Sequence, residues 1–262
     1  MNFTALVRFG RQFADAALGL IYPPVCQICE IERAAADAGF VCNTCSARTR
    51  FIEPPFCDRC GLPFAGEING SFECANCRDL ELHFDHARAA VTLDGPVQRA
   101  LQRFKYERAE WFEPFLARLL IERAAPALSA HAWDFILPTP LHPVKLRDRE
   151  FNQADRLAQR LAKATGIRHE NGLLRRVKPT ATQTRLSRRA RAKNLREAFA
   201  ADAGNALKGA RLVLVDDVLT TGATANAAAA ALRKAGAAQI AVWTVARGTL
   251  RPVLACESVP NI

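Results

Sequence analysis

The sequence predicts an α/β protein, a doubly wound and mainly parallel sheet preceded by a small cysteine-rich module. Three observations predict it. Eight of the nine cysteines form four CxxC pairs confined to the first third of the chain. The apolar run Leu212, Val213, Leu214 and Val215 reads as a strand buried on both faces. It leads through two acids and a threonine-glycine turn into an alanine-rich helical segment, and a similar strand, loop and helix begin at residue 134. At 262 residues the chain accommodates one α/β domain and one appended module, and a composition half hydrophobic and 24% charged excludes a disordered chain.

Taken in order, residues 1–22 predict an amphipathic helix: apolar positions recur at helical spacing but are interrupted by Arg8, Arg11 and Asp15, which makes the stretch too polar to span a bilayer. It has no continuous apolar core or small-residue cleavage site of a signal peptide, so the cysteines are read as thiols of a reducing compartment. The expected location is cytoplasmic, with no transmembrane segment. The helix is expected to dock its apolar face on its own domain, with peripheral attachment at the inner membrane as the alternative.

Residues 23–80 form the cysteine module. Cys26 and Cys29, Cys42 and Cys45, Cys57 and Cys60, and Cys74 and Cys77 each place two thiolates on one tight turn, and two such turns complete a closed tetrahedral zinc site. Four pairs imply two structural zinc ions in a double zinc ribbon. Chain order gives the simplest partition, and an interleaved one stays open. Phe40 with Val41, and Phe72 after Gly70, suit short hairpin strands. Four copies without thioredoxin-like surroundings argue against a redox centre, and Cys256 is assigned no role.

Residues 83–250 form the α/β domain, with strands expected at 87–93, 134–137, 211–215 and 239–245. After the second strand comes the loop PTPLHPVKLRDRE, then a helix over 152–164 with Ala154, Leu157, Ala158 and Leu161 on one face. After the strand at 211–215, Asp216 and Asp217 precede Thr220, Thr221, Gly222, Ala223 and Thr224. A strand-to-helix turn of this kind presents backbone N–H groups and a positive helix end to an anion; Gly222 permits close approach, and the hydroxyls donate to phosphate oxygens. Paired carboxylates accept hydrogen bonds from a sugar diol and attract magnesium through water. Phosphate beside ribose is implied. Lys145 and Arg147, with Arg149, offer cations for further phosphates.

The net charge of +10 favours anionic partners without choosing among them. Its densest stretch is RRVKPTATQTRLSRRARAKNLR, nine Lys and Arg with no acid. There Arg185, Arg188, Arg189, Arg191 and Lys193 can neutralise the phosphates of single-stranded DNA or close over pyrophosphate.

LVLVDDVLTTGAT resembles the phosphoribosyl-pyrophosphate signature of type I phosphoribosyltransferases. By that resemblance Asp216 and Asp217 are the catalytic pair that hold the ribose hydroxyls, residues 220–224 cradle the 5′-phosphate, and magnesium bridges pyrophosphate and ribose. Together with the CxxC module, RFKYERAEWFEP, PTPLHPVKLRDREFNQA and QTRLSRRARAKNLREAF, the chain resembles the ComF family of bacterial competence proteins. Glu150 departs from that family's motif, which carries glycine before Phe151. Gly61, after Cys60, fits the knuckle of the second zinc site. The resemblance implies a double zinc ribbon followed by a phosphoribosyltransferase-like domain, and a role in DNA uptake or the use of external DNA. Two readings follow: a transferase acting on phosphoribosyl pyrophosphate, or a non-enzymatic single-stranded-DNA-binding component of the uptake machinery.

Overall fold

The computed structural model describes residues 24–68, 70–78, 80–178, 197–201 and 204–248. The helix expected over 1–22, Cys256 and the basic residues Arg185, Arg188, Arg189, Arg191 and Lys193 lie outside them.

In the cysteine module, the one-turn helices α1 (Asn43–Ala47) and α2 (Ala75–Arg78) each begin directly after the first cysteine of a CxxC pair and contain the second. The expected hairpin strands are absent from the described residues. Single bridges, Val25 with Arg33 and Phe56 with Pro63, close the two halves, because segments this short are organised by the knuckles rather than by a ladder.

The α/β domain begins with β1 (His86–Thr92), α3 (Gly95–Tyr106) and α4 (Glu113–Ser129), followed by β2 (Phe135–Pro138). Next come α5 (Pro143–Arg149) and α6 (Gln153–Thr165). Short strands β3 (Arg168–His169), β4 (Leu174–Arg176) and β5 (Phe199–Ala201) follow, and β6 (Arg211–Leu219), α7 (Ala223–Lys234) and β7 (Gln239–Arg247) complete the described chain. The main sheet is parallel, in the order β1-β7-β6-β2-β3, while β4 and β5 pair antiparallel beside it.

Alternation along β6 and β7 explains the two-sided core. Val213, Val215, Ala241, Trp243 and Val245 pack with α3, α4 and α6 on one face, while Leu212, Leu214, Ile240 and Val242 pack with α7 on the other. Each fully buried Val, Leu or Ile contributes about 1.5–3 kcal/mol relative to exposure. Helix α6 starts where Asn152 accepts the Ala154 N–H, and it stops at Gly166 in the left-handed conformation.

Two expectations change. The segment after β2 is not all loop: Pro143 opens α5 behind His142, whose ring accepts the Val144 N–H. Strand β6 runs on to Leu219, so both aspartates lie within it.

The cysteine module is joined to the edge of the sheet. Ile52 N–H donates to Ala90 O at 3.0 Å, Thr92 N–H to Arg50 O at 2.9 Å, and Ala87 N–H to Arg59 O at 2.7 Å, which covers the otherwise open edge of β1. Gly61 has φ of +64°, and a Cβ there would lie 2.7 Å from Ala87 O, so only glycine lets the knuckle sit on β1.

Candidate functional site

The two metal centres follow chain order, which settles the pairing. The sulfurs of Cys26, Cys29, Cys42 and Cys45 all lie within 4.8 Å of one another, and those of Cys57, Cys60, Cys74 and Cys77 form a second such group. Sulfur separations of 3.8 Å for Cys29 to Cys42, 3.9 Å for Cys57 to Cys77 and 3.7 Å for Cys60 to Cys74 match the roughly 3.8 Å required of a tetrahedral Zn–S₄ centre. Backbone N–H groups point at these sulfurs, with Cys42 N–H 3.3 Å from Cys26 Sγ and Cys74 N–H 3.3 Å from Cys57 Sγ. Burial pushes the Cys26 thiol up, yet the surrounding N–H donors bring it down to about 6, a thiolate suited to a metal. Burial and neighbouring sulfurs push Cys42 up to about 11. The residues fit zinc, whose charge permits all four thiolates at once. Closed four-cysteine sites leave no coordination position for a substrate, so these two are structural.

The second site lies where strand connections diverge. From β6 the chain passes through α7 to β7 on one side, whereas from β2 it passes through α6 to β3 on the other. The crevice beyond the carboxyl ends of β2 and β6 is therefore the topological switch point of the sheet, where open α/β folds take ligands. Asp216 and Asp217 lie at that end of β6, with Asp217 N–H donating to Asp216 Oδ1 at 2.8 Å. Just past β2 the Thr139 hydroxyl is buried and has no hydrogen-bond partner among the described residues, although the residue's backbone N–H reaches Val215 O at 2.8 Å.

The turn after β6 leads into an accessible start of α7. Gly222 has φ of +77° at the N-cap of α7, a backbone state that glycine adopts without cost, and the first turn of α7 carries no acidic residue. Thr220 is exposed, and Thr221, Gly222, Ala223 and Thr224 are half-exposed, which leaves the helix end accessible.

Electrostatics separates the groups. Burial, then the charge of Asp217, pushes Asp216 up to about 7, against the pull of Lys105. Lys105 Nζ stands 2.9 Å from Asp217 Oδ2. Burial lowers Lys145, and the charges of Arg176 and Arg149 lower it further. Arg176 is likewise lowered first by burial; Asp216 opposes that shift and Arg149 adds to it. Three cations thus share one half-buried patch beside an acid.

The structure brings Lys145 together with Arg149, one turn along α5. Arg147 projects elsewhere and is exposed, because residues two apart do not share a helix face. Lys105, Arg149 and Arg176 complete the cluster. Lys105 lies in RFKYERAEWFEP and Arg176 at the start of the basic run, but neither stretch marks them as site residues, since each meets the aspartates only through sheet order. Glu150 occupies the left-handed region at φ of +67° as the C-cap of α5, the conformation for which the family motif keeps glycine.

Comparison with known proteins agrees with both halves. The Double zinc ribbon domain family matches residues 17–79, and the Phosphoribosyl transferase domain family matches residues 153–253. Competence protein F of Haemophilus influenzae is 35% identical over 211 residues, covering 79% of this chain and 90% of that protein. DNA utilization protein YhgH of Salmonella typhimurium is 32% identical over 231 residues, covering 87% and 99%. Competence protein ComFC of Bacillus subtilis is 27% identical over 219 residues, covering 79% and 84%. With four knuckles paired into two zinc sites and an acid pair at the switch point of a parallel sheet, this chain belongs to the ComF family of competence and DNA utilization proteins.

Proposed function

We propose that this chain binds phosphoribosyl pyrophosphate with magnesium at the switch point and acts in DNA uptake or in the use of external DNA. The observation that carries the reading is the convergence, at the carboxyl edge of β6, of an acid pair, an acid-free helix N-terminus and the patch of Lys145, Arg149 and Arg176. Asp216 and Asp217 accept hydrogen bonds from the ribose hydroxyls, and the turn at 220–224 donates to the 5′-phosphate. The three cations take the pyrophosphate. Two adjacent carboxylates, one held up to about 7 by burial and by the charge of the other, fit a hydrated magnesium ion. Bound magnesium would supply positive charge to the pyrophosphate oxygens. Lys105 holds Asp217 until the ribose arrives, and the chain's own part in transfer is to fix the anomeric carbon in place for an incoming nitrogen nucleophile.

A second reading, binding of single-stranded DNA by the basic run around Arg188, Arg189 and Arg191, is favoured by the relatives described as competence and DNA utilization proteins. It places the chain in the cytoplasm with the uptake machinery, at the inner face of the membrane. Among the described residues no helix is long and apolar enough to cross one.

The test is calorimetry of phosphoribosyl pyrophosphate with magnesium on the wild type and on the Asp216→Ala, Asp217→Ala double variant. Binding lost in the double variant supports the site. No binding by the wild type sinks the first reading and leaves the DNA reading, which salt-dependent affinity for an oligonucleotide then tests.

A further inference from the structure

Arg247, the last residue of β7, is 2% exposed, yet among the described residues no carboxylate pairs with it. Its guanidinium faces two ways. Nη1 shares its hydrogens among Leu219 O at 2.8 Å, Gly248 O at 2.8 Å and Thr220 O, gripping the last residue of β6 and the first of the turn that follows it. On the other side Nε donates to Cys60 O at 3.2 Å, and Nη2 lies 3.6 Å from Cys60 Sγ. One buried side chain therefore touches both a ligand of the second zinc centre and the entrance of the phosphate-binding turn.

The charge balance explains why a cation tolerates that position. Desolvating a guanidinium costs several kcal/mol unless it is paired and hydrogen-bonded. A zinc ion held by four thiolates carries a net charge of about two minus, and Cys60 brings it into contact with Arg247. The backbone carbonyls satisfy the remaining donors. Without the metal Cys60 is no longer held against the fork, which stays buried.

Packing around the fork leaves the turn little freedom to compensate. A Cβ on Gly248 would lie 2.9 Å from Thr220 Cγ2, and Gly61 fits against Ala87 with no space to spare. Asn226 in α7 adds a second tie: its Oδ1 accepts from His83 N–H at 2.7 Å, and its Nδ2 donates to Glu81 O at 2.9 Å, just after the second zinc knuckle.

We infer that Arg247 is a positioning residue that couples the second zinc centre to the phosphate-binding turn, so that occupancy of the Cys57, Cys60, Cys74 and Cys77 site sets anion affinity at residues 220–224. This rests on reading that turn as the phosphate cradle. The zinc ribbon then has a task in the ligand site beyond its own folding.

The test combines hydrogen exchange with metal analysis on the full chain. Arg247→Lys keeps the charge but cannot fork between the two elements. It is expected to retain two zinc ions, to exchange the amides of residues 220–224 roughly tenfold faster, and to leave those of α4 unchanged. Its affinity for inorganic phosphate is expected to fall by about the same factor. A merely structural role would speed exchange in α4 as well. Turn exchange at the wild-type rate in the folded variant overturns the inference. Should Arg247→Lys fail to fold, the wild type is titrated with a chelator until Cys57, Cys60, Cys74 and Cys77 become alkylatable. A turn unchanged at that point overturns it equally. Absence of ligand binding by the wild type would sink the proposed function, whereas zinc-dependent exchange in the turn would still be read.

Discussion

Lys105 Nζ lies 2.9 Å from Asp217 Oδ2, with both side chains largely withdrawn from water, and this ion pair ties the end of α3 to the end of β6. Removing one partner strands the other in a poorly hydrated site. Lys105→Met is expected to cost about 2 kcal/mol in urea unfolding. A double-mutant cycle with Asp217→Asn should return a coupling of about 1 kcal/mol or more, and strictly additive effects would count against the pair. Because Lys105 also draws Asp216 down, Lys105→Met should move the Asp216 titration upward by NMR.

Asp216 makes stability depend on pH. Its carboxyl keeps a proton up to about 7 in the folded chain, against 3.8 ordinarily, so between those values the unfolded state binds fewer protons. Stability contributed by the protonated form is complete below the lower value, declines as pH rises through the window, and is gone above the upper one. Asp216→Asn should therefore gain about 2 kcal/mol near pH 8, allowing for partial solvent access, and almost nothing near pH 4. A gain equal at both would show that the carboxylate is not destabilised by its site.

The cation patch predicts opposite responses with and without an anion. Lys145→Met should leave the ligand-free protein as stable or slightly more so, since it relieves repulsion from Arg176 and Arg149. Saturating pyrophosphate, at about a hundred times its dissociation constant, should stabilise the wild type by about 2.7 kcal/mol, seen as a rise of roughly 5–11 °C in Tm. The variant should show less than half of that rise. An undiminished rise would place the anion elsewhere.

Elemental analysis should find two zinc ions per chain, because the eight thiols form two closed groups. Cys45→Ser and Cys77→Ser should each lose one ion independently. If either variant lost both, the two centres would be one folding unit.

Glu150→Gly should raise stability by about 0.5 kcal/mol, because it relieves a left-handed residue at the C-cap of α5. The Arg108 to Glu150 ion pair it removes is more than half exposed on both sides and is worth little. A net loss on thermal unfolding would show that this pair outweighs the backbone strain.

Whatever is local in the chain could be read from the sequence. CxxC spacing determines which thiols share a knuckle, and a continuous run determines the strand, acid pair, turn and helix of the proposed phosphate site, because every group involved lies within about one strand and one turn of its partners. Even α5 left a local trace in His142 before Pro143, although the basic run of the segment suggested a loop. The order β1-β7-β6-β2-β3 was decided only by tertiary packing. That order brings Thr139 beside Val215, sets Lys105 against Asp217, gathers Arg176 with Lys145, and buries Arg247 between Cys60 and Thr220. The physical reason is that these contacts join residues far apart in sequence, whose charges gain meaning only when the apolar faces of the strands pack and bring them out of water together.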